Sequence, residues 1–109
     1  MVEYTLNLDS IFSSLSDPTR RDILRRLLRE ELSIGQIAKP YNLTFAAVSK
    51  HLKVLERAEL IIKQRRGKEQ MVHVAPQALK GAADYLENYR LLWESRFDSL
   101  DKLLKEMED

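Results

Sequence analysis

An apolar repeat in the last third of this 109-residue chain constrains its fold more than any other feature. Leu79, Leu86, Trp93, Leu100 and Met107 recur at every seventh position, with Ala82, Tyr89, Phe97 and Leu104 interleaved. Such spacing describes the seam of a long α-helix packed against a partner helix. Pro76 gives the helix a start, because its fixed φ suits the first helical turn. A helix over 76–107 is about 45 Å long at 1.5 Å per residue. One small domain cannot cover that seam alone, so the repeat calls for a partner surface. The same aromatics, with Tyr85, have a second reading as the lining of a small-molecule pocket near Trp93.

Upstream, the apolar spacing is helical in three further places. Leu8, Ile11, Phe12 and Leu15 define a short amphipathic helix over 8–15. Asp17-Pro18 then opens a second helix running to Glu30, with Asp17 as N-cap and Ile23, Leu24, Leu27 and Leu28 as its buried stripe. Asp22 is spaced to pair with Arg26 on this helix. Ser33 opens a third helix, Ile34–Ala38, which Pro40 ends. After a short turn, Thr44 caps a fourth helix from Phe45 to Arg57, whose core stripe is Val48, Leu52 and Leu55. Leu60–Arg65 and Gln70–Val74 read as two strands of a hairpin turning at Gly67.

The order α-α-α-α-β-β-α describes a winged helix-turn-helix, mainly α with a β-hairpin wing. The whole chain, 1–109, reads as a single domain. The recognition helix spans about 44–57, the wing about 60–74 and the last helix about 76–107.

Charge follows this order. The formal net charge is only +1. Between residues 39 and 68, however, Lys39, Lys50, Lys53, Arg57, Lys63, Arg65, Arg66 and Lys68 face only Glu56 and Glu59, whereas residues 76–109 carry an acidic excess. A cationic field confined to one stretch is the footprint of a polyanion-binding face. The fourth helix begins with small side chains, which let a helix backbone approach base edges in the major groove of DNA. The cations of the hairpin, Lys63, Arg65, Arg66 and Lys68, are placed for neighbouring phosphates or the minor groove.

Three segments carry a family resemblance: Leu15-Ser16-Asp17-Pro18-Thr19-Arg20-Arg21-Asp22-Ile23-Leu24, Val48-Ser49-Lys50-His51-Leu52-Lys53-Val54-Leu55-Glu56, and Arg65-Arg66-Gly67-Lys68-Glu69. With them the chain resembles the bacterial ArsR-type (ArsR/SmtB-like) winged-helix repressors over residues 8–107. Tyr89-Arg90-Leu91-Leu92-Trp93-Glu94 is similar to a metal-independent, often autorepressing, branch. The resemblance implies a homodimer formed by the first and last helices, and an imperfect inverted-repeat operator on double-stranded DNA. Carried over by position, it implies DNA contacts from Phe45, Ala46, Ser49, Lys50 and Lys53, with Thr44 capping, and wing contacts from Arg65, Arg66 and Lys68. The implied interface holds Ile11, Phe12, Leu79, Leu86, Tyr89, Trp93, Phe97, Leu100 and Leu104.

The chain departs from the family pattern twice. Metal-sensing members carry Cys-x-Cys in the third helix, where this chain has Ser33 and Gly35, and it has no cysteine at all. Its last helix has Asp84, Glu87 and Glu94 but no His. Neither metal site is therefore expected, nor any cofactor, and an effector is unassigned. The family also places Gly between the recognition helix and the wing, where this chain has Glu59. Either Glu59 adopts a left-handed conformation at a cost of about 1 kcal/mol, or the helix end is remodelled.

His51 and His73 read as packing residues, His51 at the helix flank or bonded to a backbone group and His73 across the strands. Ser49 lies two residues from His51, which on a helix points elsewhere, so no nucleophile–base pair forms. There is no paired-carboxylate cleft and no phosphate-cradling Gly loop, so an enzyme is not expected. No run reaches the roughly 18 apolar residues of a membrane span, and residues 1–10 lack a basic leader, which points to the cytoplasm. Besides a dimeric DNA-binding repressor, two readings stand: a ligand-responsive sensor with a pocket near Trp93, and a winged-helix module that binds protein.

Overall fold

The computed structural model describes residues 2–108. It divides into two compact units, the first running to Leu79 and the second beginning at Lys80. In order, the elements are α1 (Val2–Ser14), α2 (Pro18–Leu27), β1 (Leu32–Ser33), α3 (Ile34–Ala38), α4 (Phe45–Arg57), β2 (Ile61–Arg66), β3 (Glu69–Val74) and α5 (Pro76–Glu108).

The expected caps set the starts of the short helices. The Asp17 carboxylate accepts the Thr19 and Arg20 N–H groups at 2.8 and 3.1 Å and opens α2, with Pro18 at its first turn. Ser33 and Gln36 form a reciprocal capping box on α3, each side chain bonding the other residue's backbone N–H. Thr44 Oγ1 accepts the Ala47 N–H at 3.1 Å and opens α4.

Several expected boundaries shift. The first helix begins at Val2 and not at Leu8. The second ends at Leu27 and not at Glu30, which leaves Leu28 out of the buried stripe at 61% exposure. The hairpin strands start at Ile61 and Glu69, one residue later and one earlier than expected, and enclose a two-residue turn, Gly67-Lys68. Gly67 takes φ +60° at the first turn position, as a tight hairpin turn requires.

The sheet has three strands in the order β1-β3-β2, all antiparallel. The two-residue β1 was not expected; it pairs Leu32 with Val72 and Ser33 with Met71. The core of the first unit is built from Ile23, Ile37, Val48, Leu52, Leu55, Leu60 and Val72, all less than 2% exposed.

Arg26 and Tyr41 fasten α2 to α3. Arg26 donates to the Ile37 and Gln36 carbonyls, both at 2.9 Å, and so satisfies the C-terminal end of α3. Its guanidinium lies 5.4 Å from the centroid of the Tyr41 ring. Asp22 does not pair with Arg26 as the spacing suggested. It pairs with Arg25 and accepts the Tyr41 hydroxyl at 2.5 Å, because Arg26 is committed to α3.

The end of α4 resolves the alternatives at Glu59. Leu60 N–H bonds to Leu55 C=O at 3.0 Å and Glu59 N–H to Glu56 C=O at 2.9 Å. Together they form the paired C-terminal closure of a Schellman motif, whose central residue is left-handed. Glu59 occupies that place with φ +60°. The glycine conformation is kept without the glycine.

The second unit is the bulk of α5. Tyr85 and Tyr89 meet edge-on at 5.1 Å with their hydroxyls 2.9 Å apart, and Trp93 lies 5.4 Å from Phe97. Arg90 is clamped by Glu87 and Glu94 on its own helix. Among the described residues, no helix is long and apolar enough to cross a membrane.

Candidate nucleic-acid interface

Helix α4 is divided lengthwise. Val48, Leu52 and Leu55 are fully buried, which fixes the rotation of the helix about its axis. The same rotation leaves Phe45, Ala46, Lys50 and Lys53 exposed, with Ser49 half-buried beside them. Thr44 spends its hydroxyl on the cap, so it orients these residues from the helix start. Five of the six residues expected on α4 and its cap thus lie on one exposed or half-exposed face, led by a helix N-terminus with its partial positive charge.

His51 sits at the flank of this face. Arg20 Nη1 is 3.3 Å from its Nδ1, while Arg20 Nε donates to the Ser14 carbonyl at 2.5 Å. An arginine only donates, so this contact requires Nδ1 to be unprotonated. Of the two expected placements, His51 takes the helix flank, where it bonds a side chain from α2 and not a backbone group.

The wing cations differ in their engagement. Lys68 lies exposed in the turn, and Arg65 donates to the Gly67 carbonyl at 3.3 Å. Lys63 faces Glu56 of α4 at 3.5 Å and is half-buried, which removes it from the free hairpin cations. Arg66 makes a two-pronged pair with Glu31, at 2.5 and 3.1 Å. Among the described residues, Lys50, Lys53 and Lys68 enter no ion pair.

The role of Glu31 is visible only in three dimensions. Besides Arg66 it approaches His73 Nδ1 at 3.0 Å, and His73 Nε2 is buried without a hydrogen-bond partner. The hydrogen bonds from Arg66, ahead of its charge, hold the Glu31 carboxyl below the usual range. No local sequence pattern links positions 31 and 66, because only the sheet brings them together.

The third-helix positions that carry thiolates in metal-sensing relatives are otherwise occupied here: the Ser33 hydroxyl caps α3 and Gly35 stands behind it. Among the described residues no cluster of three or more His, Asp or Glu side chains is arranged to hold a metal ion. Of the residues expected at a dimer interface, Leu86, Tyr89, Trp93, Phe97, Leu100 and Leu104 are each about half exposed along α5. Phe12 is 37% exposed and Leu79 half-buried. Ile11, at 1% exposure, is buried within its own chain.

A helix pair joined by a short turn, a second helix with an exposed cationic face, and a hairpin wing together define a winged helix-turn-helix DNA-binding domain. The family described as "Bacterial regulatory protein, arsR family" matches residues 17–63. The transcriptional repressor SdpR of Bacillus subtilis (strain 168) is 30% identical over 82 residues, 75% of this chain and 91% of SdpR. An ArsR-like transcriptional regulator from Rhodococcus sp. RHA1 superposes with a TM-score of 0.73 at 28% identity, covering 91% of this chain and 93% of that one. The homodimeric winged helix-turn-helix domain Mb0332 (fragment 1-100) from Mycobacterium bovis shares the fold, with a TM-score of 0.61 at 20% identity over 84% of this chain and 83% of that one. This chain belongs to the ArsR family of bacterial regulatory proteins. It is a DNA-binding transcriptional regulator, not an enzyme.

Proposed function

We propose that the protein is a homodimeric repressor that binds an inverted-repeat operator in double-stranded DNA without a metal cofactor. One observation carries the reading: α4 turns its apolar stripe inward and presents Phe45, Ala46, Ser49, Lys50 and Lys53 on one face beside the wing. Two such helices related by a dimer axis enter successive major grooves about 34 Å apart, and two-fold symmetry in the protein demands it in the operator. Arg65, Arg66 and Lys68 of the wing hold the flanking phosphates. Repression follows where the operator overlaps a promoter.

The second copy is drawn to α5. Its stripe of Leu86, Tyr89, Trp93, Phe97, Leu100 and Leu104 is exposed along a helix about 50 Å long. A contiguous apolar face of that length is the surface that soluble proteins cover by association. The homodimeric state of the Mycobacterium bovis domain agrees with this.

The sensor reading has one observation in its favour, a recess of about 420 Å³ beside Trp93. Tyr89, Leu92, Trp93, Arg96, Phe97 and Leu100 line it, all from one helix. A ligand site encloses most of its ligand, and one helix face supplies a single wall, so this surface suits a partner helix better.

Selection of bound fragments from a random DNA pool tests the proposal. The expected result is a two-fold symmetric site bound by a dimer. Absence of any mobility shift by folded protein at low salt overturns it.

A further inference from the structure

The exposed face of α4 is poorly equipped to read bases by hydrogen bonding. From Thr44 to Glu56 there is no Asn, Gln or Arg, and Arg57 lies in the last turn, far from the leading end. Adenine is read by paired hydrogen bonds from Asn or Gln, so α4 has no such reader. Ser49, Lys50 and Lys53 remain, together with two apolar side chains at the leading end.

The larger of these is Phe45. It is the first residue of α4, fixed there by the Thr44 cap, and 63% of it is exposed. Leu43, just before the cap, is 41% exposed. Phe45 borders a cleft whose other walls are Ser33, Ile34 and Gly35 at the start of α3 and Lys68, Glu69 and Gln70 of the wing. An aromatic ring held in water at the leading edge of a helix costs solubility unless it is covered. A second copy of this face would bring Lys50, Lys53 and Lys68 against their own kind, so like charges oppose that occupant. Double-stranded DNA matches the charge, and its major groove offers one apolar feature, the 5-methyl group of thymine.

We propose that Phe45 is a specificity-determining residue that reads the 5-methyl group of a thymine in each operator half-site. The inference rests on the DNA-binding reading above and adds to it the chemistry recognised. Lys50 and Lys53 then supply phosphate contact or guanine hydrogen bonds, while thymine selection is steric and hydrophobic.

The test uses the full chain and a duplex selected from a random pool. Each thymine is replaced in turn by uracil, which keeps the base pair and removes only the methyl group. Wild type should lose about fourfold in affinity at one thymine per half-site, the effect of one methyl-sized apolar contact. Phe45→Ala should bind the thymine duplex about tenfold more weakly and no longer distinguish uracil at that position. Phe45→Leu should retain part of the discrimination, and both variants should unfold at the wild-type temperature because the side chain is exposed. The proposal is overturned if wild type is indifferent to uracil at every thymine. It is equally overturned if Phe45→Ala keeps the full penalty at the sensitive thymine, since another residue then reads the methyl. Wild type that binds no duplex overturns the DNA-binding reading itself, and this inference with it.

Discussion

Glu59 holds a backbone conformation that an L-residue with a β-carbon adopts at a cost. The closure of α4 onto Leu60 imposes φ +60°, and the bonds from Leu60 and Glu59 to Leu55 and Glu56 maintain it. Glu59→Gly should therefore stabilise the fold by about 1 kcal/mol, after allowance for the greater freedom of glycine in the unfolded chain. The urea midpoint should rise with an unchanged slope, and an unchanged or lower midpoint refutes the strain. Asp17 is the opposite case, a residue well matched to its place. The Arg20 N–H bond, ahead of the other contributions, lowers its carboxyl from the ordinary 3.8. A depressed folded value means stabilisation that is complete above the unfolded value and lost as the pH falls through the folded one. Asp17→Ala should cost about 1 kcal/mol at pH 7. The gap to wild type should close in unfolding titrations carried below pH 3.8.

At the scale of elements, α3, α4 and α5 were legible because each carries a local signal. Ser33 and Thr44 announce helix starts, Val48, Leu52 and Leu55 give α4 its rotation, and the seven-residue repeat draws α5. Strand β1 carries no such signal. Two residues show no period, and Leu32 and Ser33 become a strand only because Val72 and Met71 lie beside them. The Asp22 pairing is illegible for a related reason: local spacing offers Arg26, but the α3 carbonyls take it. Arg66 was legible as a wing cation, whereas its bond to Glu31 was not, being a contact across the sheet. Under the proposed wing contact, this bond competes with DNA phosphate for Arg66. Arg66→Ala should weaken all sequences nearly equally and reduce the log–log salt slope by about 0.9, the value of one phosphate contact. Glu31→Gln, which discharges the competing acid, should tighten binding to every sequence without changing the preferred half-site. Affinities measured from 50 to 200 mM salt check both. An unchanged slope in Arg66→Ala places that residue off the DNA.

At the scale of the whole molecule, the near-zero formal charge conceals a division of labour. The excess of cations falls on residues 39–68 and the excess of acids on residues 76–109. The acidic helix also bears the half-exposed stripe containing Trp93 and Leu100. Trp93→Glu puts a charge in the middle of that stripe and should leave a folded monomer in sedimentation experiments. Operator affinity should then fall by at least 100-fold, since two linked half-site contacts exceed one by that order. A stable dimer in this variant places the interface elsewhere. The Arg66–Glu31 pair has a temporal consequence as well. A cation neutralised at 2.5 Å adds little to the long-range field that draws a protein toward DNA. If the wing meets DNA as proposed, Lys50, Lys53 and Lys68, unpaired, would govern the speed of encounter, while Arg66 would exchange its carboxylate for a phosphate only after arrival. Removing one of those lysines should slow association, and removing Arg66 should shorten the lifetime of the complex. On that reading the unpaired lysines of α4 and the wing turn set how quickly an operator is found, and Arg66 how long it stays occupied.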